Sequence, residues 1–168
     1  IGGFFCGKNM KKRNIKSLGI IGGMGPEASA RMLGVMISMA TEEFGVRNGD
    51  DFPEIIVDSV PVPDFISDKR NILPALNMLK KRVKKLNMLN ISSFGIACNT
   101  AHILFDDLNS VSDSPFVSMI DEVAGEILQK KISKVGLLAS PMTIEFGLYQ
   151  NALESKAEVI LPTEKQIE

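Results

Sequence analysis

Apolar strand-like runs alternate with helical patterns from residue 17 to residue 161, which predicts an α/β protein with a mainly parallel sheet flanked by helices. Two further observations support that class. The 168 residues are 45% apolar and 23% charged, an ordinary soluble composition for one domain or one and part of a second. Glycine and proline punctuate the chain where strands hand over to helices, as in Gly22-Gly-Met-Gly-Pro26.

The elements follow in order. Residues 17–22 read as a buried strand and 22–26 as a turn. Residues 27–44 carry Met32, Val35, Met36, Met39 and Ala40 at helical spacing, with Pro26 suited to the first turn. Residues 47–51 form a polar loop, 54–60 a strand, and 60–67 a loop that contains two prolines. Residues 72–86 are a helix whose Lys80, Lys81, Arg82, Lys84 and Lys85 make a solvated face. Strands then fall at 91–97, 115–119, 134–139 and 158–161. Helices start at 100, 122 and 142, ending near 108, 130 and 153.

Nineteen basic against twenty acidic residues leave a net charge of −1, which gives no support for nucleic-acid binding. No apolar run approaches the ~20 residues of a membrane span, and residues 1–8 do not form a signal segment. Cys6 and Cys98 are too few for a disulfide framework or a four-ligand zinc site. They read as free thiols in a reducing cytoplasm. The chain opens with Ile1, reads naturally from Met10, and closes just after an apolar strand-like run. The expectation is a fragment with an N-terminal extension over residues 1–15.

In parallel α/β sheets ligands bind outside the carboxyl ends of the strands, so the strand-to-helix turns are the places to search. Three are distinctive. The first holds Gly23-Met24-Gly25-Pro26-Glu27-Ala28, a G-x-G-x-x-A match to a dinucleotide fingerprint. Pro26 removes one useful amide, and Asp58 lies beyond the usual ~20-residue offset of the ribose-binding acid. A small anion or a plain tight turn suits the same glycines. The second is Cys98-Asn99-Thr100-Ala101-His102. A thiol at a helix start is expected to have a lowered pKa, and His102 shares its helical face. A buried inert cysteine and an ordinary histidine are the alternative. The third is Ser140-Pro-Met-Thr143, whose hydroxyls suit a helix cap or a substrate contact.

Taken together, residues 20–27, Ser59-Val-Pro-Val-Pro-Asp64, Cys98–His102 and the 137–150 segment resemble the aspartate/glutamate racemase family. The resemblance runs from about residue 16 to the end. It implies two similar α/β lobes, here residues 16–119 and an incomplete 120–168, with the active site between them. It implies interconversion of L- and D-amino acids, aspartate or glutamate first, without pyridoxal phosphate or metal. The implied mechanism places one cysteine on each side of the substrate Cα, one removing a proton and one returning it. Carried over, Cys98 is catalytic. Asn99 and Thr100 bind the substrate carboxylate, Met24 and Thr143 line the site, and Gly23, Gly25 and His102 support it. A homodimer is also implied.

The departures matter equally. The family's second cysteine, in a Gly-Cys-Thr-Glu segment, has no counterpart, and Cys6 lies outside every matching motif. Lys165 is a loose counterpart of a family lysine. Phe65 stands where many members carry an arginine, with Arg70 a substitute or a sign of different substrate choice. The chain alone is therefore expected to have little racemase activity. A dinucleotide- or anion-binding module and a non-catalytic truncated paralogue are the competing readings.

Overall fold

A computed structural model describes residues 17–163 and Gln166. The expected N-terminal extension, Cys6 and Lys165 lie outside the described residues. Among the described residues six strands and six α-helices follow one another in the expected alternation. Among the described residues no helix is long and apolar enough to cross a membrane.

Strand β1 (Leu18–Gly22) is buried throughout, as its apolar run requires of a central parallel strand. It lies between β2 (Ile55–Ser59) and β3 (Ser93–Ile96), and β3 pairs with the short β4 (Phe116–Val117). All three pairings are parallel, with Leu18 opposite both Ile55 and Ser93.

Helix α1 (Pro26–Glu42) begins at proline, whose missing N–H costs nothing there, and it covers one sheet face. Leu18, Ile20, Met36 and Ala97 pack on that side. Helix α2 (Ile72–Asn87) buries Ala75, Leu76, Leu79, Val83 and Leu86, one stripe at helical spacing, against the other face. Phe94 and Phe116 stack there with ring centroids 5.0 Å apart.

A second, two-stranded parallel sheet pairs β5 (Lys134–Gly136) with β6 (Glu158–Ile160). Helix α4 (Met119–Gln129) leads into it. Ser118 caps α4 by accepting the Asp121 N–H at 3.1 Å, so the helix starts three residues before the sequence pattern suggests.

Three expectations need correction. The helix expected over 142–153 is two short ones, α5 (Pro141–Glu145) and α6 (Leu148–Ala152). They part at Gly147, whose φ of 66° is left-handed and breaks the helical path. The helix expected from 100 starts as a 3-10 turn over Thr100–Leu104 and becomes α3 (Phe105–Asn109) only afterwards. The basic residues of α2 are not one solvated face. The Arg82 guanidinium grips the buried Asp58 carboxylate through two bonds of 2.7 and 2.6 Å, and Lys80 pairs with Asp107 at 2.6 Å.

Candidate active site

The strand order creates a crevice. From β1 the chain passes to β2 on one side and returns to β3 on the other. Loops leaving β1 and β3 therefore diverge at their carboxyl ends, the position where open α/β sheets hold ligands. Those two loops are the glycine turn and the Cys98 turn.

The glycine turn has a steric cause. Gly23 has φ +93°, and a Cβ there would stand 2.4 Å from the Val60 nitrogen. A side chain at Gly22 would meet the Ser29 hydroxyl at 2.1 Å. The Gly23 N–H donates to Ser29 Oγ at 3.0 Å, so this amide is spent inside the turn. Asp58, the candidate ribose-binding acid, is taken by Arg82. Both features count against a dinucleotide pyrophosphate at this turn. Met24 is buried in the same apolar cluster as Cys98. It borders a depression of about 240 Å³ between the 23–25 turn and the 62–66 loop.

Cys98 follows β3 and is buried. Burial pushes its thiol above the ordinary range, while the amides of Ala101 and Thr100 pull the other way. The lowered thiol expected from the helix start is thus reversed. Its neighbours exclude water, and the first turn supplies only two opposing amides.

His102 does share a face with Cys98, but it meets the backbone. Its Nδ1 lies 2.8 Å from the Cys98 carbonyl oxygen, and its Nε2 accepts the Met119 N–H at 3.1 Å. Since Nε2 is the acceptor, Nδ1 carries the proton and donates. The ring is neutral, and burial holds its pKa below the ordinary range. Its work is to tie the Cys98 turn to the start of α4.

Thr100 reaches the second sheet's elements. Its hydroxyl lies 2.8 Å from Ser140 Oγ and 3.1 Å from Thr143 Oγ1, and those two are 3.0 Å apart. Three hydroxyls have three protons for three edges, so the triangle closes with each donating once and accepting once. Ser140 Oγ also accepts the Thr143 N–H at 3.2 Å, the expected helix cap. Thr143 is fully buried. Asn99 stays exposed, its Oδ1 held by the Tyr149 hydroxyl at 2.8 Å.

Tyr149 is the residue that sequence reasoning missed. Its one signal was being the chain's single tyrosine, inside a segment already noted. The structure brings Met24, Cys98, Asn99, Thr100, His102 and Thr143 to one end of the first sheet, with Gly23 and Gly25 shaping the neighbouring turn. Phe65 is buried in the core, and Arg70 turns outward to Asp68 in a two-pronged pair.

Comparison with known proteins bears on the family and the fold. Residues 21–168 match the profile of the Asp/Glu/hydantoin racemase family. A broad specificity amino-acid racemase, RacX, from Bacillus subtilis (strain 168) is 22% identical over 144 residues, 86% of this chain and 63% of RacX. The Picrophilus torridus aspartate racemase superposes with a TM-score of 0.78 at 30% identity, covering 89% of this chain and 64% of that one. An aspartate racemase homologue from Pyrococcus horikoshii OT3 gives 0.75 at 31%, covering 89% and 65%. The chain thus spans just under two thirds of the length of these relatives. It belongs to the Asp/Glu/hydantoin racemase family.

Proposed function

We propose that this chain carries one half of a cofactor-independent amino-acid racemase, with Cys98 as the group that moves the Cα proton. The observation that carries the reading is the placement of Cys98 at the carboxyl end of β3, on the crevice where the strand order reverses. Asn99, whose Oδ1 is held by Tyr149 while its Nδ2 has no bond of its own, is the donor for the substrate carboxylate, and Met24 lines the site. Thr143 supports the turn through the hydrogen bond between its hydroxyl and that of Thr100.

The chemistry follows from the acid. A Cα–H beside a carboxylate is very weakly acidic, so removing it needs a strong base and stabilisation of the charge that develops. A thiolate held in a dry site, with a pKa above the ordinary range, is a stronger base than a solvated one. It takes the Cα proton and becomes a thiol, and the electron pair delocalises into the bound carboxylate. Returning the proton from the same thiol regenerates the same enantiomer. Inversion needs a donor on the opposite face, and Cys98 is the only cysteine among the described residues.

The 168-residue chain should therefore exchange the Cα hydrogen of one enantiomer without inverting it. Proton NMR in D2O, with L- and D-amino acids in separate tubes, reads this directly. The expected result is loss of the Cα–H signal for one enantiomer, abolished in Cys98→Ala. Exchange that survives Cys98→Ala, or no exchange with any amino acid, overturns the reading.

A further inference from the structure

Asn99 can hold a carboxylate only with its amide N–H groups turned to the ligand. Turned over, the same amide presents Oδ1 and repels it. We propose that Tyr149 is the positioning residue that fixes this polarity, so that the site accepts the α-carboxylate of a free amino acid and discriminates against the corresponding carboxamide. This rests on the reading of Cys98 and Asn99 as the site, and adds a residue of α6 and the ligand group it selects.

The turn has few donors to spare. The Thr100 hydroxyl is closed into its triangle with Ser140 and Thr143. The amides of Thr100 and Ala101 serve the Cys98 sulfur. Asn99 is exposed, and its Nδ2 is the side-chain donor that remains on this stretch. The way its amide faces therefore decides which groups the turn can bind.

Tyr149 is only 8% exposed, and burial holds its phenol above the ordinary pKa range. The hydroxyl thus keeps its proton at neutral pH and donates it to Asn99 Oδ1 at 2.8 Å. With the amide reversed, Nδ2 would donate to the phenol oxygen. The hydroxyl proton would then lose the one acceptor the structure gives it, a state that a buried donor disfavours. The hydroxyl also comes from a seated element. Gly147, at a φ of 66°, turns the chain from α5 into α6, which packs on both α4 and α5. A site so polarised works by repelling the wrong group as well as attracting the right one.

The test measures protection of Cys98 in the full chain from iodoacetamide, read on the Cys98 peptide by mass spectrometry. The probes are L- and D-alanine and L- and D-aspartate, each beside its α-carboxamide. Without the phenol hydroxyl the Asn99 side chain is free over about two amide orientations and three rotamers. Tyr149→Phe should therefore raise the protecting concentration of an amino acid about two- to sixfold. A carboxamide can meet either edge of the Asn99 amide and should change less, so the preference for the amino acid falls. In an Asn99→Ala background Tyr149→Phe should add nothing, because Tyr149 acts through Asn99. No change in Tyr149→Phe, equal weakening of amino acid and carboxamide, or the same loss in the Asn99→Ala background overturns the positioning role and leaves Cys98 in place. Protection that Asn99→Ala does not weaken overturns the carboxylate role of Asn99 with it. No protection by any of the probes overturns the site reading as well.

Discussion

Replacing His102 by phenylalanine is the sharpest test of how the Cys98 turn is held. Phenylalanine preserves the ring, its packing and the stacking on Phe105, whose centroid lies 5.8 Å away. What it removes is the pair of hydrogen bonds to the Cys98 carbonyl and from the Met119 N–H. Each buried polar group left without a partner costs about 1–3 kcal/mol. The Cys98 carbonyl lies in the buried interior and belongs near the middle of that range. The Met119 N–H is half-buried and can recruit water, which puts it near the bottom. The sum is about 3 kcal/mol, a large share of the 5–15 kcal/mol typical of a domain. Urea unfolding followed by circular dichroism measures it as a drop in midpoint at constant slope. A loss below about 1 kcal/mol would refute the claim that this ring braces the turn.

Further expectations concern the same residues. His102 is held neutral in the folded chain, with a pKa below its ordinary value of 6.5, whereas in the unfolded chain it titrates normally. As pH falls through about 6.5 the unfolded state binds a proton that the folded state refuses. Stability should therefore be full above that pH and decline below it until the folded pKa is passed. Between pH 7.5 and 5.5 the urea midpoint should fall for the natural sequence and change less in His102→Phe. Gly23→Ala drives a Cβ to 2.4 and 2.5 Å from the Val60 nitrogen and oxygen at a φ of +93°. Left-handed strain and a backbone clash together cost about 3 kcal/mol, read as a lower thermal midpoint. Tyr149→Phe removes the bond that fixes Asn99. The amino-acid concentration needed to protect Cys98 should rise several-fold, while the rate of alkylation without amino acid stays unchanged.

Much of this was legible in the chain, for physical reasons. The apolar run of β1 and the proline that opens α1 are local signals, and both elements fall within two residues of their expected bounds at all four ends. The stripe of α2 is a periodicity and was equally plain. The glycine turn and the Cys-Asn-Thr run marked the crevice, because parallel sheets place function at strand ends. Other features depend on contacts between distant segments. The Asp58–Arg82 pair spans 24 residues and cannot be seen from the α2 pattern, where arginine among lysines suggests only solvent. The break at Gly147 hid because one glycine inside an otherwise helical pattern is commonly tolerated. The thiol of Cys98 was misjudged because the helix-start effect is local, whereas burial depends on Ile21, Met24 and Met142 arriving from elsewhere. His102 and Tyr149 found their partners 17 and 50 residues away.

The central claim is that the Cys98 thiolate removes the Cα proton. The most direct measurement is the pH dependence of Cα exchange in D2O at low substrate concentration, which reports the free protein's ionisations. The rate should climb about tenfold per pH unit through pH 8, since the thiolate is a minor species until the raised pKa is approached, and it should vanish in Cys98→Ala. A plateau already reached below pH 7, or a profile that Cys98→Ala leaves in place, would contradict the account.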